Sequence, residues 1–200
     1  SFGGAYHGRK LGREAVASTL SFFPSKPLGA YGDGGAILTD DPERAELYRS
    51  LRTHGEGKTR YEVLRIGING RLDTLQAAVL LAKLDAFEDE LARREEIASA
   101  YDEGLRDVVK VPARVPNAQS AWAVYTILLP DADARDSLQS ALAQAGVPSA
   151  IYYPKPLHFQ PAYREQHDET ISLPVAEALG AHVLALPIHP ELTQEEVGRV

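Results

Sequence analysis

Lys26 is hemmed in by residues that leave a backbone little freedom. It sits in Ser21-Phe22-Phe23-Pro24-Ser25-Lys26-Pro27-Leu28-Gly29-Ala30-Tyr31-Gly32-Asp33-Gly34-Gly35, after an apolar run and before a proline that biases its backbone towards extended conformations. A lysine amine is a nucleophile only without its proton, and desolvation or a nearby cation makes that loss easier. Phe22 and Phe23 are placed to supply desolvation, and the glycines at 29, 32, 34 and 35 permit sharp turns and close backbone approach. The pattern is that of a lysine held in place for covalent chemistry.

Other chemistries fail on spacing. The glycines around Asp33 do not make a dinucleotide fingerprint, because that motif opens a helix and an apolar strand follows here instead. No serine-hydrolase elbow occurs, and the histidines at 7, 54, 158, 167, 182 and 189 lack the helical pairing with glutamate that a zinc protease needs, so no metal ligand set is expected. The chain has no cysteine, which removes disulfides and thiolate metal sites. A net charge of −7 without a basic face argues against nucleic acid as partner. No apolar run reaches membrane-spanning length, and a hydrophobic content of 44% over 200 residues suits a soluble globular chain of one large domain or two small ones.

The elements that must position Lys26 follow from the pattern around it. Residues 15–23 read as a buried strand and residues 35–39 as its neighbour, so the order is strand, lysine loop, glycine turn, strand. Asp41-Pro42-Glu43 opens a helix with Leu47 and Leu51 on its apolar face and His54-Gly55 as its stop. A loop carrying Lys58, Arg60, Tyr61, Arg65 and Asn69 comes next. Residues 72–105 then read as one helix, apolar almost all round at first, which predicts burial on several sides either in a large core or at a subunit interface, and charged beyond Asp85. The last third alternates strand and helix signals: strands at 108–111, 122–129 and 147–153, helices at 133–145 and 175–183, and an irregular stretch at 154–168. Asn69 is open to a plainer reading, as a cap on the helix after Arg71 or as a left-handed turn residue.

Four blocks in this order resemble one family, the pyridoxal-phosphate sugar aminotransferases of the DegT/DnrJ/StrS group. They are the lysine segment at 21–35, Leu-Arg-Thr-His-Gly at 51–55, Gly-Ile-Asn-Gly-Arg-Leu-Asp-Thr-Leu-Gln-Ala-Ala at 67–78, and Tyr-Tyr-Pro-Lys-Pro-Leu-His-Phe-Gln-Pro-Ala-Tyr at 152–163. The resemblance implies an α/β fold: the end of the large domain of an aspartate-aminotransferase-like (fold type I) enzyme over residues 1–88, and a smaller C-terminal α/β domain over 89–200. It implies that Lys26 bonds covalently to pyridoxal 5'-phosphate (PLP) and shuttles a proton, that Ser21 binds the cofactor phosphate, and that Asn69 reaches the phosphate in the neighbouring subunit of a homodimer.

It further implies transfer of an amino group, with glutamate as donor, to a nucleotide-linked keto-sugar in cytoplasmic amino-sugar or polysaccharide precursor biosynthesis. Tyr153, Lys155 and His158 are the implied contacts to the sugar nucleotide. Relatives often carry His-Tyr-Pro where this chain has Tyr152-Tyr153-Pro154. Family members are longer, and the chain begins Ser-Phe-Gly-Gly without a methionine anywhere, so its first residue is expected not to be the natural start. The aspartate that pairs with the cofactor ring nitrogen is then expected upstream of Ser1, along with a nearby glutamine and a stacking aromatic ring, leaving this stretch alone a poor catalyst. Two alternatives remain: a non-catalytic dimerisation or sugar-nucleotide-binding fragment, and a PLP-dependent sugar dehydratase. The latter relatives typically replace the lysine with histidine.

Overall fold

The computed structural model describes residues 2–59, 61–164 and 171–200; Arg60 and residues 165–168 of the stretch expected to be irregular lie outside the described residues. The chain divides into two compact units, Ser1–Ala92 with Val115–Ala123, and Arg93–Arg114 with Val124–Val200.

In the first unit, β1 (Ala5–Tyr6) and β2 (Arg9–Lys10) form a short hairpin. Next, β3 (Ser18–Ser21) pairs antiparallel with β4 (Gly35–Leu38), with Ser21 opposite Gly35 and Ser18 opposite Leu38. The ladder therefore ends at the two residues that bound the lysine loop. The sequence reads this strand as buried, yet β3 and β4 both alternate between partly covered and exposed positions, because among the described residues they pair only with each other. Strand β5 (Ala118–Gln119) joins the free edge of β1.

Helix α1 (Pro42–Arg52) starts as its sequence dictates. Asp41 Oδ1 accepts the Glu43 and Arg44 amides at 2.9 and 3.1 Å, and Pro42 occupies the first turn, where its missing N–H costs nothing. The helix stops at Thr53, after which His54 (φ 58°) and Gly55 (φ 79°) are both left-handed and the Gly55 amide returns to the Ser50 carbonyl at 2.8 Å. A Cβ at Gly55 would overlap the Arg65 carbonyl oxygen, so the end of α1 and residues 64–70 lie backbone to backbone. His54 N donates to Ile68 O at 2.9 Å, Ile68 N to Leu51 O at 2.8 Å, and Thr53 bridges Asn69.

The single helix expected over 72–105 is two: α2 (Thr74–Leu84) and α3 (Phe87–Leu105), parted at Asp85-Ala86 with no glycine or proline to mark the break. Within this chain Leu80 is the buried residue of α2, while Leu75 and Leu81 are exposed. Leu80 joins Leu28, Ala30, Phe87, Leu91 and Ala121 in one cluster, onto which Phe2, Phe22 and Leu72 pack. Phe2 stacks on Phe87 with ring centres 5.4 Å apart and meets Phe22 edge-on at 6.4 Å. Two of these members, Leu28 and Ala30, come from the lysine loop itself.

In the second unit, the later turns of α3 bury Ile97, Ala98 and Tyr101. Strand β6 (Tyr125–Leu128) pairs antiparallel with β7 (Val183–Leu186), a wholly buried strand inside the stretch whose start the sequence reads as helix. The strands expected at 108–111 and 147–153 are single bridges, Lys110 to Leu128 and Ala150 to Ala185. Helix α4 (Ala132–Gln144) is capped by Asp131, and Gly146 follows it at φ 75°. The described part of the stretch expected to be irregular holds a 3-10 turn at Leu157–Phe159 and α5 (Pro161–Arg164). Helices α6 (Pro174–His182) and α7 (Gln194–Arg199) complete the unit, the last with a Thr193/Glu196 capping box. Arg114 ties α3 to itself, donating to Glu95 and Asp102 at 2.6 Å each, and Asp102 accepts the buried Tyr125 hydroxyl at 2.6 Å.

At the start of α6, Glu177 Oε1 accepts the Leu173 amide at 2.7 Å and faces His158 Nε2 at 3.1 Å. The Leu173 N–H, then His158, hold the Glu177 carboxyl below its ordinary 4.5.

Gly55→Ala is expected to lower stability by about 2 kcal/mol or more, since it combines a left-handed φ with a backbone clash; a urea melt with an unchanged midpoint would refute this packing. Glu177 is depressed on folding, so its contribution is present above its ordinary pKa and fades as the pH falls through the folded value. Melting temperature should therefore drop less between pH 6 and pH 3.5 in Glu177→Gln than in the unsubstituted protein, and equal drops would count against the Glu177 contacts.

Candidate active site

Lys26 stands on a loop whose ends are tied together. Phe22 N donates to Gly34 O and Ala30 N donates to Phe22 O, each at 2.8 Å, so one residue just past β3 closes the loop on both of its limbs. Within it, Lys26 N donates to Phe23 O at 2.9 Å, and a Cβ at Gly29 would come 2.5 Å from Pro24 O. Glycine is required at 29 because the limb after Lys26 lies directly on the limb before it. Lys26 is exposed, and its amine has no ion pair or side-chain hydrogen bond among the described residues. The expectation that two phenylalanines desolvate it is not met: Phe22 turns to the core cluster, and Phe23 is itself 51% exposed.

Ser21, the last residue of β3, is exposed, and its Oγ accepts the Phe23 amide at 3.3 Å. Its hydroxyl hydrogen thus remains available to another acceptor. Asn69 belongs to the same unit but to another segment; its backbone is bridged to Thr53 and its side chain is exposed. It does not cap α2, a place taken by Asp73, and its φ is not left-handed. Among the described residues no hydrogen bond joins Asn69 to Ser21 or Lys26.

In the second unit, Tyr153, Lys155 and His158 line one cavity of about 900 Å³ together with Tyr152, Gln160 and Tyr163 and an apolar floor from α6. The Tyr152–Tyr153 peptide is cis. Tyr153 and Lys155 are exposed, whereas the His158 side chain is 8% exposed with Nε2 facing Glu177. The histidine ring therefore works first as a strut between the proline-rich segment and α6, and the two exposed side chains are the ones open to a ligand.

Three polar residues that bear on these segments escape a reading of the sequence. Gln76 Oε1 accepts the Tyr31 amide at 2.8 Å, Lys83 Nζ donates to the Gly29 carbonyl at 2.8 Å, and Glu177 holds His158. The first two share a face of α2 with the buried Leu80, a spacing visible in sequence, but nothing there says which loop the face meets.

Known proteins match along the whole chain. The model of the DegT/DnrJ/EryC1/StrS aminotransferase family covers residues 1–200. The UDP-2-acetamido-2-deoxy-3-oxo-D-glucuronate aminotransferase of Pseudomonas aeruginosa is 46% identical over 193 residues, 96% of this chain and 52% of that protein. A DegT DnrJ EryC1 StrS aminotransferase from Brucella abortus superposes with a TM-score of 0.93 at 47% identity, over 100% of this chain and 52% of the other. NtdA from Bacillus subtilis, solved with bound cofactor PMP, superposes with a TM-score of 0.85 at 29% identity, over 94% of this chain and 45% of the other. The chain spans about half the length of the relatives it matches. The expected mixed α/β architecture, part of an aspartate-aminotransferase-like fold, is what these superpositions carry. The chain belongs to the DegT/DnrJ/EryC1/StrS aminotransferase family.

Proposed function

We propose that the protein containing this chain transfers an amino group, with glutamate as donor, to a nucleotide-linked keto-sugar, using PLP held on Lys26. The observation that carries this reading is the Lys26 amine, exposed and unpaired among the described residues, on a loop closed at both limbs through Phe22. The donor set fits the cofactor. An aldehyde carbon needs an unengaged primary amine, which Lys26 offers, and a phosphate needs hydrogen-bond donors, which the Ser21 hydroxyl and the Asn69 amide retain. When bound, PLP supplies an electrophilic carbon and a ring that accepts an electron pair.

The chain's own residues do the rest. Lys26 Nζ anchors the cofactor and, once released, takes the proton from the amino-bearing carbon of the donor and delivers one to the sugar carbon that receives nitrogen. Ser21 fixes the phosphate end, so the reacting carbon is located relative to Lys26 by a single stretch of backbone. Tyr153 and Lys155, at the mouth of the cavity in the second unit, suit a sugar ring and a diphosphate or a sugar carboxylate. The uronate named for the Pseudomonas relative makes a carboxylate-bearing sugar a natural first candidate. Residues 1–88 belong in this reading to the cofactor-binding domain and 89–200 to the smaller domain, in a cytoplasmic enzyme of amino-sugar precursor synthesis.

The partner in this reading is a second copy. The ribbon next to Asn69 displays Ile66 at 99% and Ile68 at 67% exposure, with Val63, Leu64 and Tyr61 also exposed, an apolar strip beyond what lone surface residues explain. A homodimer that covers it would bring Asn69 to the neighbouring cofactor, making each site a shared one.

Borohydride reduction of the PLP-loaded protein should leave the pyridoxyl group on Lys26, and Lys26→Met should lose amino transfer by roughly 10²–10⁴-fold; a label on another lysine would sink the assignment. Sedimentation should give a dimer that Ile66→Asp with Ile68→Asp converts to monomer. A wild-type monomer, or a dimer indifferent to both substitutions, would overturn the shared site.

A further inference from the structure

Apolar packing and polar tethers place different constraints on the lysine loop. Leu28 and Ala30 are buried against Leu80, and that contact holds the loop to α2 without fixing its direction, because hydrophobic attraction is non-directional. Two long-range hydrogen bonds do fix it. Gln76 Oε1 accepts from Tyr31 N and Lys83 Nζ donates to Gly29 O, both at 2.8 Å, and they bracket the buried Ala30 from opposite sides. The tethered atoms reach Lys26 through a short path. Gly29 lies so close to Pro24 O that a Cβ would come within 2.5 Å, so any shift of Gly29 is passed across the loop to the residues just before Lys26. Gly32 is similarly filled, since a Cβ there would meet the Gln76 amide at 3.2 Å.

We propose that Gln76 and Lys83 are positioning residues for Lys26: their side chains set where its amine stands, acting through the backbone of residues 29–31. This rests on the reading of Lys26 as the cofactor lysine. The physical stake is large, because a displacement of about 1 Å at a reacting group can cost on the order of 10² in rate. Burial of Leu28 and Ala30 persists without the tethers, so their loss alters position more than stability.

The test compares Gln76→Met, which keeps the length and removes the acceptor, with Gln76→Glu, which keeps an acceptor for Tyr31 N; Lys83→Met is a second tether variant. Three readouts are taken on the purified protein: melting temperature, amide hydrogen exchange at Tyr31, and the rate at which added PLP becomes reducible onto Lys26. Expected are a melting temperature within a few degrees of wild type, faster Tyr31 exchange in Gln76→Met, and labelling of Lys26 slowed about tenfold or more in both Met variants, with Gln76→Glu restored towards wild type. Labelling at the wild-type rate despite faster Tyr31 exchange would overturn the positioning role and leave the Lys26 assignment standing. A wild-type protein that takes no label on Lys26 would overturn the assignment itself, and the role that depends on it.

Discussion

Phe22 uses both of its backbone groups across the lysine loop, donating to Gly34 and accepting from Ala30, and the rest of the first unit is arranged around that pairing. The β3–β4 ladder ends at Ser21 and Gly35 because the next pair of residues already belongs to the closure. Once Phe22 is fixed, its ring must go somewhere, and it goes to the cluster formed by Phe2, Phe87 and Leu91, which draws the start of the chain and the start of α3 onto the loop. A buried cluster of this kind, at about 1.5–3 kcal/mol for each large side chain removed from water, outweighs what two backbone bonds supply in net terms. The bonds decide the geometry, and the cluster supplies the stability.

Much of this was legible in the residues. The order strand, lysine loop, glycine turn, strand follows from residues 15–39, and the helix start at Asp41-Pro42-Glu43 is written in local chemistry. What failed to show was anything set by a distant partner. The break between α2 and α3 has no helix-breaking residue, and β7 follows directly on α6 in a stretch whose apolar run suits either state, so only its pairing with β6 makes it a strand. Desolvation of Lys26 by the phenylalanines looked natural in sequence and is absent in space, because adjacent residues on an extended backbone point to opposite sides and Phe22 is claimed by the core.

The two candidate site segments are built on different principles. The lysine loop gains order from backbone closure and glycine contacts, leaving the one reactive side chain unengaged. The proline-rich segment gains it from a side-chain strut, His158 on Glu177, while Tyr153 and Lys155 stay open at the cavity. A histidine so engaged cannot also offer the same nitrogen to a ligand, so the sequence block at 152–163 mixes residues of two kinds that its conservative-looking spacing does not separate.

For Lys26, position and dryness are separate problems. Chemistry at an amine needs the nitrogen within bonding distance of one carbon and needs water kept from competing. The described residues solve the first: closure through Phe22, the contact of Gly29 with Pro24, and α2 on the far limb each remove a freedom that an ordinary loop lysine keeps. They do not solve the second, since neither phenylalanine covers the amine. Under the proposed function the second falls to groups outside the described residues: the cofactor once bound, and a second copy over the neighbouring apolar ribbon. A loop that fixes its lysine without covering it leaves the amine accessible to the cofactor it has to receive.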